Sequence, residues 1–194
     1  MIAVIGILAA LVFPGVRAAR VSANRARTKV QFNQWAAAIE GFRSEYGFYP
    51  AFDVSGLVNG SAATLPGEEH LFHDLLAAAR RDGSVPSAGS AATVQNGKRI
   101  RFHAFTQADF TPANSVTPWL LRDAFDNTAI AVLVDRDLDG VIKVGTDYAA
   151  LPLVNGAAPG VDDFPASGVR AGVVFYAPAP ESTPGNPAFI LSWK

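Results

Sequence analysis

The sequence predicts an α+β protein, with a long N-terminal α-helix packed on a small antiparallel sheet domain. Two observations predict it. Phe32, Trp35, Ile39, Phe42 and Tyr46 recur at spacings of 3, 4, 3 and 4, the stripe that a helix lays on a core. Past Gly97 that period gives way to short apolar or alternating runs separated by Gly, Pro and Asp. Helices come first and strands afterwards, which is the order of an α+β chain and not of an alternating parallel one.

The first element opens with an uncharged apolar segment, Ile2 to Val16, broken only by Gly6, Pro14 and Gly15. Proline bends a helix more readily than it abolishes one of this length, and no proline follows until Pro50. Residues 2–46 therefore read as one helix about 65–70 Å long. Gly47 and Pro50 end it. The chain divides into an anchor and spine helix, 1–47, and an α+β globular domain, 48–194.

Ala51 to Gly67 reads as loop. Glu68 to Arg81 reads as a second helix, with Leu71, Leu75, Leu76 and Ala79 on one face and Asp82-Gly83 at its end. Residues 83–97 read as a Ser/Ala/Gly-rich loop. Lys98 to Phe105 alternates like a half-buried strand. Further strands are expected at Thr128–Val134, Val141–Val144, Val169–Tyr176 and Phe189–Trp193, joined by Gly/Pro-rich loops.

Composition narrows the function. A hydrophobic fraction of 49% against 17% charge supports a packed core, and the formal net charge of −1 favours neither nucleic acid nor an anionic surface. There are no cysteines, which removes disulfides, thiol catalysis and cysteine-based zinc sites. No Ser/His/Asp set or phosphate-binding glycine loop is present. Arg17, Arg20, Arg25, Arg27 and Lys29 cluster after the apolar segment with no acid before Glu40. They suit lipid headgroups or the carboxylates of neighbouring copies.

The sharpest polar motif is Asp135-Arg136-Asp137-Leu138-Asp139-Gly140-Val141-Ile142. Three carboxylates two residues apart, followed by glycine, match the start of a calcium-binding loop, in which hard oxygen ligands gather round a sharp bend. The expected ligands are Asp135, Asp137, Asp139 and the Val141 carbonyl. The loop's closing glutamate would fall at Thr146, so Asp147 is the substitute. The alternative is a solvated acidic turn between two strands.

Asp137 and Asp139 are also spaced like the nucleophile and the acid/base of haloacid-dehalogenase-type phosphatases. That motif, however, ends the first strand of an alternating α/β domain, and here it falls late in the chain. His70 and His73, with Glu69 and Asp74 beside them, suit a solvated helix face better than a metal site. The basic-aromatic run Lys98–Phe105 suits a strand with one wet side better than a nucleic-acid surface.

The chain resembles type IV pilin-like proteins, above all the pseudopilins of type II secretion. Ile5 to Val16 looks like the family's anchor segment, with its proline at Pro14. Tyr46-Gly47-Phe48-Tyr49-Pro50 resembles the motif that ends the family's helix. Asp123-Ala124-Phe125-Asp126-Asn127 is similar to an aspartate-proline-tryptophan-glycine-asparagine turn, with its Asp and Asn kept. Ser192-Trp193-Lys194 looks like the terminus of some bacterial prepilins. The family's anchor starts with phenylalanine-threonine-leucine-isoleucine-glutamate, which by alignment would begin eight residues before Met1. The chain is therefore expected to be an N-terminally truncated prepilin.

The resemblance implies a non-enzymatic structural subunit. Its partners would be copies of itself and other pseudopilins, assembled through the helix into a periplasmic fibre for type II protein secretion. It implies an inner-membrane location with a periplasmic globular domain before assembly. The positive-inside tendency of Arg17–Lys29 pulls the other way, and the resemblance outweighs it. It also implies a calcium ion in the globular domain. The alternative function is a minor pilin or tethered binding module.

Overall fold

The computed structural model describes every residue except 1, 53–54 and 61–64, and for residues 2–14 it describes the helical backbone alone. Helix α1 runs Ile2–Tyr46, 45 residues, or about 68 Å at 1.5 Å per residue. Two short helices follow, α2 (Leu71–Ala77) and α3 (Ala91–Gln95), then three strands, β1 (Ala131–Val134), β2 (Val173–Pro178) and β3 (Phe189–Leu191). The strands form one antiparallel sheet in the order β1-β2-β3, with Val132 opposite Phe175 and Ala177 opposite Ile190. The protein is thus α+β, as the order of periodicities predicts.

Alternation along the strands sorts side chains onto two buried faces. Val132, Val134, Val173, Phe175 and Ile190 meet the α1 stripe, and Phe32, Trp35, Ile39 and Phe42 of that stripe are fully buried. Phe175 stacks on Phe32 at 5.4 Å and lies 5.7 Å from Trp35. Ala131, Leu133, Val174 and Tyr176 point to the opposite face, where Ile142, Val154, Phe164 and Val169 from the loops cover them. The outer edge of β1 is paired as well. Val58 N donates to Ile130 O and Val132 N to Gly56 O, both at 2.8 Å.

The end of α1 is set by its own sequence. Gly47 adopts φ +81° and its N–H reaches Arg43 O at 2.7 Å, a left-handed stop that suits glycine. The chain then doubles back. Tyr49 donates its hydroxyl to Glu40 Oε1 at 2.8 Å, and the Arg43 guanidinium lies 5.0 Å from the same ring. Burial first, and then the Glu40 carboxylate, push the Tyr49 hydroxyl well above its ordinary pKa. Gly172, just before β2, leaves the space this tyrosine fills. A Cβ there would stand 1.9 Å from Tyr49 Oη and 2.3 Å from Glu40 Oε1.

Several expected elements come out differently. The second helix is shorter, because Ala78 turns left-handed at φ 55° and the Leu76 carbonyl takes Phe102 N and His103 N instead of a helical partner. For the same reason Lys98–Phe105 is irregular chain and not a strand: Lys98 lies in a turn, Arg99 takes φ 52°, and Phe102 N and His103 N bond the helix end at Leu76 O. Phe102 and Phe105 still pack on the core. The stretch 83–97 contains α3, capped by the Ser90 hydroxyl accepting from Thr93 N. Val141–Val144 forms isolated bridges only, Ile142 pairing with Val169.

The inner-membrane expectation fails. Among the described residues no helix is long and apolar enough to cross a membrane. Spanning takes roughly 20 apolar residues. The uncharged run from Ile2 stops at Val16, and Arg17, Arg20, Arg25, Arg27 and Lys29 follow it in the same helix. The side chains of residues 2–14, most of the expected anchor segment, lie outside the described residues.

Candidate metal centre

The acidic motif forms a closed turn leaving β1. Asp135 follows the strand directly and its N–H bonds Gly172 O, so its side chain is fixed by the sheet; it is 2% exposed. Its Oδ2 accepts Gly140 N at 2.8 Å. Asp137 Oδ1 accepts Asp139 N at 3.2 Å, and Asp139 Oδ1 accepts Val141 N at 2.8 Å. Leu138 and Gly140 take positive φ, 63° and 85°, which curls the backbone tightly enough for the three carboxylates to converge.

Each aspartate therefore gives one oxygen to the backbone of the turn. The remaining Asp139 oxygen takes Lys143 Nζ at 2.8 Å. The remaining Asp135 oxygen, Oδ1, is buried and has no hydrogen-bond partner. A buried carboxylate oxygen without a donor is costly. Its surroundings add to the strain on charge. The Asp139 N–H pulls the Asp137 pKa down, but desolvation and the neighbouring Asp135, Asp139 and Asp147 carboxylates outweigh it and the net shift is upward. Lys143 first, and then the Val141 N–H, hold Asp139 below its usual value.

One ligand oxygen from each of Asp135, Asp137 and Asp139 lies within 4.8 Å of the other two. Ligands at 2.3–2.6 Å from a calcium ion stand at most about 5 Å apart, so the three oxygens are close to the spacing that one shared ion would need. Asp137 and Asp139 are exposed, which leaves room for water to complete the shell. The donor set is all oxygen, which suits a hard cation and not a softer one.

Asp147 stands apart from this triad. Its Oδ1 accepts Arg136 N and its Oδ2 accepts Lys143 N, both at 2.8 Å, so the carboxylate closes the base of the loop. Tyr148 continues the closure, accepting Val134 N at 2.8 Å under the Arg136 guanidinium, which lies 4.2 Å from its ring. Val141 contributes its N–H to Asp139. The role of Asp147 as organiser was not legible in the sequence, since its partners are backbone groups up to 11 residues away.

The two histidines are buried, not solvated. His70 caps α2, its Nδ1 accepting His73 N, while its Nε2 meets Asn59 Oδ1 at 2.9 Å. His73 Nδ1 meets Asp74 Oδ1 at 2.9 Å, and Asp74 Oδ2 accepts His70 N at 3.0 Å. Burial, reinforced by the Arg81 charge, pushes His70 down to about 3, so the ring is neutral. Asn59 carries the network onward to Leu121 and Thr128. A pocket of about 320 Å³ beside this network is lined by Phe52, Phe72, Glu69, Asp74 and Ser90. The Asp74 carboxylate and Ser90 hydroxyl on its wall already have partners inside the protein.

Comparison of the chain with protein-family models, curated proteins and solved structures finds no match. Its own geometry defines it as a long-helix α+β protein with an oxygen-lined turn at the end of the first strand.

Proposed function

We propose that the chain is a pilin-like structural subunit of the pseudopilin type, which packs through α1 against copies of itself and other pseudopilins to build a fibre for type II protein secretion. The observation that carries this reading is the division of α1. From Thr28 onward its stripe is sealed in the core, whereas positions 15–20, 22–23 and 26–27 are exposed. A helix that continues well past its own domain offers a surface for another helix.

The motifs behind the resemblance support it by what they hold. Asp123 Oδ1 accepts Phe125 N and Asn127 N, and Asn127 Nδ2 reaches Asp123 Oδ2 and Pro178 O. The two residues kept from the family's turn are thus the two that close it, and Asp126, where the family has glycine, takes φ 64°. Tyr46 and Tyr49 tie the helix end to Asn96 and Glu40. Ser192 and Trp193 bond Phe175 and Asp163.

Calcium in the acidic turn belongs to the same reading, with Asp135, Asp137 and Asp139 as its side-chain ligands. The ion would supply the positive charge that the buried Asp135 oxygen lacks. The antiparallel sheet does not offer the alternating α/β setting of the phosphatase motif. Phe48 is the one aromatic among the strongly exposed large apolar residues described, so no aromatic patch favours a binding module.

The chain has no cysteine, which makes cross-linking clean. Ala18→Cys/Ala26→Cys, co-expressed with a type II secretion assembly platform and oxidised, is expected to give a ladder of covalent multimers. Monomer alone, with the protein folded and expressed, overturns the assembly reading.

A further inference from the structure

We propose that Lys143 is a built-in competitor for the cation of the acidic turn, so that ion binding displaces its ammonium from Asp139 and the strength of this pair sets the affinity of the site. The inference rests on the calcium reading above and deepens it.

Three observations converge on Lys143. Its Nζ lies 2.8 Å from Asp139 Oδ2, the oxygen of that residue which the backbone leaves free. That residue belongs to the converging triad, so ammonium and ion would compete for the same carboxylate. The Lys143 backbone is pinned, its N–H held by Asp147 Oδ2 and its carbonyl by Asp147 N, so the stem always starts from the rim of the turn. Meanwhile Asp135 Oδ1 is buried and unpartnered. The single ammonium therefore pairs with Asp139 alone and leaves the inner Asp135 oxygen bare.

A divalent ion held by the three carboxylates would bring positive charge beside that inner oxygen, and it would compete with the lysine for Asp139. The side chain is free to leave, being about one-third exposed. Displacement costs an exposed ion pair, and the ammonium left nearby still repels the ion. Neutralising Lys143 removes both effects and is expected to tighten calcium binding about tenfold, which is ~1.4 kcal/mol.

The test is calcium titration by calorimetry on the full chain, comparing wild type with Lys143→Met and Lys143→Arg, each checked for native circular dichroism. Lys143→Met is expected to bind about ten times more tightly, and Lys143→Arg to stay near wild type because it keeps the charge. If wild type and Lys143→Met bind with equal affinity, the competitor role is overturned while the metal centre stands. If none of the three binds calcium, both readings fall. If only Lys143→Met binds, the competitor role is supported in its strongest form.

Discussion

Gly172→Ala tests the joint between helix and sheet. The new methyl would sit 1.9 Å from Tyr49 Oη, 2.3 Å from Glu40 Oε1 and 2.9 Å from Tyr49 Cζ, where ordinary contact is about 3.5–4.0 Å. Glu40 can swing away, because its side chain is 43% exposed. Tyr49 is only 8% exposed and has to leave its seat. Leaving breaks the bond to Glu40, about 1.5 kcal/mol after allowance for solvent screening. It also exposes part of the ring, about 1.5 kcal/mol more. Alanine stiffens the unfolded chain and returns about 0.4–1 kcal/mol. The net loss is about 2–2.6 kcal/mol, or roughly 4–10 °C in Tm for a chain of this size. Urea denaturation of Gly172→Ala, Tyr49→Ala and the double variant measures it. Once the phenol is gone the methyl has room, so the double variant should be more stable than the sum of the singles by at least about 1 kcal/mol. Additivity within about 0.5 kcal/mol would refute the close-approach argument.

Two further outcomes are expected. His70 is held neutral, its folded pKa near 3 against about 6.5 unfolded. The unfolded chain therefore binds the extra proton first. Stability from this group is complete above pH 6.5 and falls as pH drops towards 3, by up to about 1.4 kcal/mol per pH unit. His70→Asn, which keeps a capping side chain, should flatten the pH dependence of urea midpoints between pH 6.5 and 4; parallel curves for variant and wild type would sink the idea. For the acidic turn, calcium at about 100 times Kd should add ~2.7 kcal/mol, visible as a lower Tm in excess chelator. Asp135→Asn should abolish that calcium shift yet match or exceed wild type in chelator, because it removes the charge from a buried carboxylate whose Oδ1 has no donor. An identical wild-type melt with calcium and with chelator would count against a structural ion.

Much of the fold was legible in the chain because its signals are periodic and local. The Phe32–Tyr46 stripe identified the buried face of α1, and Gly47 its end. The cores of all three strands fell inside expected apolar runs. The convergence of Asp135, Asp137 and Asp139 was legible for the same reason, since a six-residue turn with glycine at its bend brings alternate side chains to one side. What went unread depended on distant partners. Lys98–Phe105 alternates like a strand, but Leu76 O takes two of its N–H groups. The segment therefore follows a helix end and never reaches a sheet edge. His70 and His73 sit among polar neighbours in sequence, yet Asn59, eleven residues before His70, makes their environment a buried network.

By itself, then, the sequence determined the elements whose cause is near in the chain: the long helix, its buried stripe and its stop, the strand cores, and the spacing of the acidic turn. Only the tertiary structure decided which groups are paired. It spends Asp147 on two backbone N–H groups, seats Lys143 on Asp139, clears Gly172 for Tyr49, and leaves Asp135 Oδ1 buried without a donor. The reason is physical. Helical and turn hydrogen bonds close over a few residues, so composition and period report them. Burial of a charge and the identity of its partner depend on segments brought together only when the core forms.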